Sequence, residues 1–318
     1  MTYIITGATS FLGVELSKLL IVQGHQVAAI CRPDSHGLKE LPDEVQVVYA
    51  AMDEYGALDS KIEKADVFIH LAWGGTGHGG RDDVEVQLQN IECTRQAMLA
   101  AHRMGCQLFV MVGSQAEYGS TTEPQTEDML CQPFSEYGKA KLCVKDKGFE
   151  LAEQLGMKYM HLRIFSLIGE NDHPWTLVMS CVDKMLRNEP IDLSPCTQNW
   201  NFLYVKDAAR QVTLLCKYAL GDKEFVHEIY NIASDDTRPL RDFVEQMKDL
   251  TKSKSELHYG AVIPMHLVSL QPKISKTISV VGKITEYNFD TVIQRIMKKK
   301  SAVSNPQSVQ SERLKTEN

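Results

Sequence analysis

The first half of the chain alternates short apolar runs with longer segments in which apolar residues recur every three or four positions. The short runs predict strands covered on both faces, and the periodic segments predict helices. This rhythm is typical of a parallel sheet wrapped by helices, so the predicted fold class is α/β with a Rossmann-type, doubly wound parallel sheet. The predicted strands are 3–6, 26–31, 45–49, 66–71, 108–112 and 159–165, and the predicted helices are 11–23, 54–64, 82–104 and 136–155.

The strict alternation fades after Gly169. Helices are predicted near 175–187, 207–218, 240–250 and 290–299, and strands near 190–193, 201–205 and 229–232. We therefore expect a dinucleotide-binding domain over 1–168 that carries the catalytic residues, and a smaller mixed α/β substrate region over 169–300 with parts returning to the core. Residues 301–318 are polar and predict a tail.

Composition argues against several classes of function. The 318 residues carry 34 basic and 41 acidic side chains, a net charge of −7, so there is no general electrostatic reason to bind nucleic acid. No apolar run approaches the roughly 18 to 20 residues that span a bilayer, and we expect a cytoplasmic protein with no membrane partner. The eight cysteines are scattered singly, which predicts reduced thiols and no metal site.

A glycine-bearing turn joins the first predicted strand to the first predicted helix. In this context a dinucleotide pyrophosphate can rest on backbone N–H groups at the helix start. Gly7 would allow the tight turn and Gly13 the close approach of helix and strand, while Ser10 stands where such loops often have a third glycine. A plain strand-to-helix turn would also account for two glycines. The candidate cofactor contacts here are Gly7, Thr9, Ser10, Phe11, Leu12 and Gly13.

The end of the second predicted strand bears on the choice of dinucleotide. An acidic residue there accepts hydrogen bonds from a ribose hydroxyl, whereas an arginine can bind a 2′-phosphate. Arg32 occupies this place and favours NADP(H), while the nearby Asp34 keeps NAD(H) possible. Asp53, after the third strand, is a candidate acceptor for the adenine amino group, or simply an exposed loop residue.

Two further segments carry the candidate catalytic residues. Ser114 follows the fifth predicted strand, at the edge where open parallel sheets bind ligands. Tyr137 and Lys141 are four residues apart and share one face of a predicted helix. A free tyrosine has a pKa of about 10, and an adjacent ammonium favours the phenolate. We therefore expect Lys141 to lower the pKa of Tyr137, which would then exchange a proton with a substrate oxygen held by Ser114.

These motifs, taken in order, resemble the extended short-chain dehydrogenase/reductase family, and within it the NAD-dependent epimerase/dehydratase group that acts on nucleotide sugars. The resemblance extends to about residue 250. The segments that carry it are Gly7 to Gly13, His70-Leu71-Ala72, Asn90 to Thr94, Ser114 with Tyr118-Gly119, Tyr137 with Lys141, Leu162-Arg163 with Gly169, and Phe202 to Asp207.

The resemblance implies roles for individual residues. Tyr137 would be the proton donor or acceptor, Lys141 would hold the nicotinamide ribose, and Ser114 would bind the reacting oxygen. Asn90 would order the long helix near the site, although it could also be a simple amide on the helix surface. His70 could likewise be a histidine that is buried in the core and has only a structural role. The segment after the fourth strand adds the cofactor contacts Leu71, Ala72 and Trp73.

Departures from the family pattern narrow the function. Gln115 and Ala116 stand where sugar-nucleotide 4,6-dehydratases carry an Asp and a Glu for elimination of water, so dehydration is disfavoured. Ser166 replaces an asparagine that often touches the nucleotide, and Trp200 replaces an arginine. Gln115, Ser166 and Trp200 are candidate substrate contacts, with core packing an equal alternative for Trp200.

The remaining pattern resembles nucleotide-sugar 4-ketoreductases. The expected reaction is NAD(P)H-dependent reduction of a keto group, commonly C4 of a 4-keto-6-deoxy nucleotide sugar, with NADP(H) favoured. The alternative is a nucleotide-sugar 4-epimerase with retained NAD, and a non-catalytic cofactor-binding protein is a third reading. The helices near 82–104 and 136–155 resemble those of a family homodimer interface.

Overall fold

The computed structural model describes residues 1–77, 79–264, 266 and 268–304. Seven parallel strands form the central sheet, in the order β10-β6-β5-β4-β1-β2-β3. Their bounds are β1 Thr2–Thr6, β2 Gln26–Cys31, β3 Gln46–Tyr49, β4 Val67–His70, β5 Leu108–Ser114, β6 Lys158–Ile164 and β10 His227–Ile232. The predicted fold class is confirmed.

Helices cover both faces of this sheet and enclose two apolar cores. The helices are α1 Phe11–Val22, α2 Val84–Arg103, α3 Glu136–Leu155, α4 Leu177–Leu186, α5 Val205–Gly221, α6 Leu240–Thr251, α7 Ser275–Val281 and α8 Phe289–Ser304. The first three begin at serine or aspartate caps, because Ser10, Asp83 and Ser135 each accept a backbone N–H of the first helical turn. Within the described residues, no helix is both long and apolar enough to cross a membrane.

Two small sheets lie in the C-terminal half. Strands β7 Ser166–Ile168, β9 Asn199–Tyr204 and β11 Thr237–Pro239 form one, and β8 Ile191–Leu193 pairs with β12 Leu257–Tyr259 in the other. The strand near 190–193 was predicted and corresponds to β8, whereas β7, β11, β12 and the short helix α7 were not predicted, because their residues show no clear apolar pattern. The predicted tail over 301–318 is helical through Ser304, and 305–318 lie outside the described residues.

The helix predicted over 54–64 is wrong in type and bounds. The chain instead forms 3-10 turns over Met52–Ser60. Gly56 lies in the middle of the segment, and Ala57 has non-helical backbone angles of φ −113° and ψ 15°. A glycine and a kink within nine residues interrupt the hydrogen-bond ladder of a regular α-helix. The shorter turns bring Met52 and Tyr55 to the side of a cleft at the end of β2.

Candidate active site

The turn after β1 has the geometry of a phosphate loop. Gly7 has φ +66°, and a Cβ atom there would lie 2.9 Å from the Ala72 amide nitrogen. A Cβ on Gly13 would lie 2.4 Å from the Gly7 carbonyl oxygen, so both positions require glycine. The Ser10 hydroxyl accepts a hydrogen bond of 3.2 Å from the Gly13 N–H. Ser10 therefore caps α1, and the turn leaves room for a ligand at the helix start.

A cavity of about 370 Å³ opens beside this turn, at the carboxyl ends of β1, β2 and β4. Its position fits the binding of a dinucleotide, because Gly7, Thr9 and Ser10 at the helix start line it. Arg32 lines this cavity together with six other predicted contacts: Gly7, Thr9, Ser10, Leu71, Ala72 and Trp73. Residues not singled out from the sequence also line it, namely Ile30, Cys31, Ser35, Ala50, Met52, Tyr55, Gly74 and Thr76.

The predicted cofactor residues that do not line the cavity include Phe11, Leu12, Gly13 and Asp53. Leu12 is buried in the core, and Phe11 packs near Gly169. Asp53 is exposed, so its contact with the adenine stays a prediction. Arg32 lies at the rim with a side chain 68% exposed, and its Nε is 3.9 Å from the Asp34 carboxylate. The arginine is thus accessible to a phosphate, although the aspartate competes for it.

The segment between β4 and α2 forms a loop over the site, and we call its described residues, 71–77 and 79–83, the active-site loop. Asn90 in α2 holds it by accepting a hydrogen bond of 2.8 Å from the Gly74 N–H and donating one of 3.0 Å to the Gly74 carbonyl. Gln87 accepts a hydrogen bond of 2.8 Å from the Trp73 indole N–H. Asn90 is therefore buried and fixes the loop, rather than lying on the helix surface.

His70 is a core histidine. Its ring nitrogens contact the hydroxyls of Thr6 at 2.8 Å and Thr94 at 3.1 Å, and the side chain is fully buried. Burial, with a smaller influence from Lys141, lowers the pKa of His70 to about 3. The ring is therefore neutral and structural, as the plainer sequence interpretation had it.

The structure brings Ser114, Tyr137 and Lys141 together at the carboxyl end of β5, and all three are buried. The Lys141 ammonium donates a hydrogen bond of 2.7 Å to the Val112 carbonyl and lies 3.6 Å from the centre of the Trp73 ring. It is 5.8 Å from the centre of the Tyr137 ring. Burial lowers the pKa of Lys141 to about 7, against the opposing influence of the Glu117 carboxylate.

The expectation that Lys141 lowers the pKa of Tyr137 is not met in this structure. Burial raises the pKa of the Tyr137 phenol above its usual value. The groups that act in the opposite direction are the Ser114 hydroxyl and the Arg81 guanidinium, and Glu117 adds to the rise. Lys141 has no such influence, because its ammonium is turned toward Val112 and Trp73 and is itself disfavoured by burial.

A buried carboxylate lies directly beneath Ser114. Glu117 accepts hydrogen bonds of 2.7 Å from the Ser114 backbone N–H, 2.9 Å from His161 Nε2 and 2.9 Å from Arg163 Nε. Burial opposes ionisation, but the interactions with His161, followed by the Arg163 charge, more than offset it and hold the pKa of Glu117 well below its usual value. A Cβ atom on Gly113 would lie 2.3 Å from His161 Nε2, so the adjacent glycine makes room for this network.

The predicted substrate residues differ in their surroundings. Gln115 is half-buried in the 3-10 turn after β5, and Ser166 is half-buried at the start of β7. Trp200, in β9, packs against two of the apolar clusters, with its ring 6.3 Å from Phe202. The packing role proposed for Trp200 is therefore present, and substrate contact by these three residues stays a prediction.

Sequence reasoning missed one cation at the site. The Arg81 guanidinium carbon lies 4.7 Å from the centre of the Tyr137 ring. Arg81 belongs to a glycine-rich segment that no residue pattern marks as helix or strand, so its direction could not be read from periodicity. The charged cluster of Glu117, His161 and Arg163 was also missed, although alternating polar positions in an otherwise apolar strand 159–165 were a signal for it.

Comparison with known proteins agrees with this geometry. The model of the NAD dependent epimerase/dehydratase family matches residues 3–233. A dTDP-6-deoxy-L-talose 4-dehydrogenase (NAD(+)) of Aggregatibacter actinomycetemcomitans is 25% identical over 255 residues, which cover 77% of this chain and 89% of that protein. A CDP-abequose synthase of Yersinia pseudotuberculosis is 23% identical over 254 residues, covering 78% and 85% respectively.

Solved structures show the same fold. The UDP-glucose 4-epimerase of Thermotoga maritima, determined with UDP-glucose, superimposes with a TM-score of 0.85 at 18% identity. The superposition covers 96% of this chain and 100% of the epimerase. At this level of identity the likeness concerns the fold, and the site must be argued from its own residues.

The low pKa of Lys141 predicts a pH-dependent stability. An unfolded lysine has a pKa of about 10.4, so between pH 7 and about 10 the unfolded chain binds more protons than the folded one. The Lys141 contribution to the free energy of unfolding therefore rises with pH, by up to about 1.4 kcal/mol per pH unit. Removing the buried amine in Lys141→Met should therefore raise the free energy of unfolding most at pH 7 and least at pH 10.

Urea denaturation of the cofactor-free protein at pH 7, 8, 9 and 10 measures this effect. The difference in unfolding free energy between Lys141→Met and wild type should fall steadily over that range. Lys139→Met is the matched control, since Lys139 is an exposed lysine on the same helix. Its difference from wild type should stay flat, and a flat difference for Lys141→Met as well would contradict a depressed lysine.

Proposed function

The chain belongs to the NAD dependent epimerase/dehydratase family of enzymes, and on this premise we propose that it uses a nicotinamide cofactor to reduce a keto group of a nucleotide sugar. The observation that carries the proposal is the convergence of buried Ser114, Tyr137 and Lys141 beside the cleft at the carboxyl end of the sheet. The favoured position is C4 of a 4-keto-6-deoxy sugar. The name of the talose 4-dehydrogenase, a relative at 25% identity, supports redox chemistry at C4.

The residues after Ser114 favour reduction over dehydration. Elimination of water needs an acid and a base next to the sugar, and Gln115 and Ala116 can supply neither. The Tyr137 phenol interacts with the Ser114 hydroxyl. A site of this composition can donate one proton and hold one oxygen, which is what reduction of a ketone requires.

The bound cofactor supplies the hydride. As the carbonyl carbon gains that hydride, the carbonyl electron pair moves to oxygen and Tyr137 Oη gives its proton to that oxygen, which leaves an alcohol and a phenolate. Ser114 holds the carbonyl oxygen by a hydrogen bond. Lys141 would hold the nicotinamide ribose and the turn after β1 would hold the pyrophosphate of the cofactor, and the burial of the site excludes water.

A panel assay tests the reaction. Purified protein is mixed with 4-keto-6-deoxy sugars linked to CDP, dTDP or UDP, each with NADH or NADPH, and both cofactor oxidation and sugar product are measured. One cofactor oxidised per alcohol formed is the expected result. Interconversion of sugar nucleotides with no net oxidation of cofactor would instead establish the 4-epimerase. Cofactor binding without turnover of any sugar would refute the proposal.

Tyr137→Phe should reduce turnover by about 10²- to 10⁴-fold, because it removes the proton donor and keeps the ring. Binding of the reduced cofactor, followed by fluorescence, should change by less than about twofold. Tyr218→Phe is the control, since Tyr218 is 40% exposed on α5 and hydrogen-bonded to Asp222. Unimpaired turnover in Tyr137→Phe would remove the phenol from the mechanism.

We also propose that NADP(H) is preferred, through Arg32. Arg32→Ala should weaken NADPH binding by about tenfold or more, the cost of one charge-assisted contact with a phosphate, and NADH binding by less than about threefold. Calorimetric titration of both cofactors measures the two losses. Arg187→Ala, at an exposed arginine remote from the cleft, should change neither. Equal losses for both cofactors would exclude a 2′-phosphate contact.

A homodimer is proposed across α2 and α3. A groove of about 270 Å³ runs between these helices. On α2, the apolar side chains of Val84 and Leu88 are exposed. Paired helices of two copies would cover such a surface. Leu88→Arg should halve the molar mass measured by light scattering, whereas Val22→Arg, at an even more exposed position of α1, should leave it unchanged. A wild-type monomer would refute the dimer.

A further inference from the structure

The active-site loop covers the catalytic pair with two side chains. Trp73 lies over the Lys141 ammonium at 3.6 Å, and Arg81 lies over the Tyr137 ring at 4.7 Å. Trp73 and Tyr137 also contact each other edge to face, with 6.2 Å between ring centres. The lysine is therefore engaged by an indole, and the cation that faces the phenol ring belongs to the loop.

The loop backbone fixes the position of Arg81. A Cβ atom on Gly80 would lie 2.6 Å from the Gly75 Cα, so the backbones at Gly75 and Gly80 are in direct contact. The Gln87 amide donates a hydrogen bond of 2.9 Å to the Gly80 carbonyl, and Arg81 Nε donates one of 3.1 Å to the Thr76 carbonyl. These bonds direct the guanidinium toward Tyr137, although the arginine as a whole is exposed.

We infer that Arg81 is a positioning residue for proton transfer: its guanidinium over the Tyr137 ring stabilises the phenolate that remains when the proton leaves. The inference rests on the proposed role of Tyr137 as proton donor. A cation within about 6 Å of an aromatic face is attracted to the ring, and the attraction grows when the ring becomes an anion. Because no group is oxidised or transferred by Arg81, its contribution is purely electrostatic.

The charged and polar groups that face Tyr137 come from three elements besides the active-site loop. Glu117, in the 3-10 turn after β5, opposes ionisation of the phenol, and the Ser114 hydroxyl at the end of β5 favours it. Lys141, one turn along α3, lies 5.8 Å from the ring centre and is directed to Val112. Arg81 therefore offsets the one carboxylate that acts against ionisation of the phenol.

A spectroscopic titration tests the inference without any substrate. Difluorotyrosine, whose phenol is more acidic than that of tyrosine, is incorporated at position 137, and its ionisation is followed by fluorine NMR in the cofactor-free protein. Arg81→Met keeps the length of the side chain and removes the charge, and should raise the titration midpoint by about 0.5 to 1 pH unit. Arg81→Lys should restore most of the wild-type midpoint.

Lys139→Met provides the control, because it removes an exposed cation from α3 two residues away from Tyr137. It should leave the midpoint unchanged. The same midpoint in Arg81→Met and wild type would overturn the inference, and so would an equal shift in Lys139→Met, which would indicate a general effect of net charge. The same spectra show whether Arg81→Met is folded. If it is not, the titration midpoints of Arg81→Lys and Arg81→Gln are compared instead.

The activity assay separates this inference from the proposed function. If the wild type reduces a 4-keto sugar, the pH profile of kcat in Arg81→Met should shift to higher pH by the same amount, with KM little changed. If the wild type reduces none of the sugars but the fluorine titration shifts as expected, the proposed reaction fails and the electrostatic role of Arg81 stands.

Discussion

The ionised carboxylate of Glu117 is the constraint on which the geometry of the site depends. It is buried between β5 and β6 and joins the Ser114 backbone to His161 and Arg163. A buried charge of this kind persists only when every neighbour is placed to satisfy it, because an unpaired carboxylate in such surroundings costs several kcal/mol. The strand ends are thereby locked in register, and Ser114 points to a fixed place at the mouth of the cleft.

The larger elements of the fold could be predicted from the sequence because their signals are long and redundant. Strands β1, β2, β4 and β5 are mostly apolar on both faces, and α2 and α3 each repeat their apolar face over five turns. Their ends lay within a few residues of the predicted ones. The 3-10 turns over Met52–Ser60 and the strands β7, β11 and β12 could not be predicted, since tertiary contacts rather than a continuous apolar pattern define these segments.

The residues of the site likewise divide into those that the sequence could predict and those that it could not. Ser114, Tyr137, Lys141 and the turn at Gly7 could be located from spacing and from the family resemblance. What spacing does not contain is the direction of long side chains: Lys141 was expected to face Tyr137, and it faces Val112 and Trp73. Arg81 approaches Tyr137 from a loop 56 positions earlier in the chain, a distance over which no local pattern carries information.

Strand β10 has a consequence for how the two halves of the chain can be separated. It comes from the C-terminal half and forms one edge strand of the main sheet, where its backbone pairs with β6 from Tyr159 to Ile164. A fragment ending near residue 168 would expose the hydrogen-bonding groups of β6 as a naked, apolar sheet edge, which invites aggregation. The cofactor half is thus not a portable module that could be recombined with a different substrate half, unless the incoming partner brought a matching strand of its own.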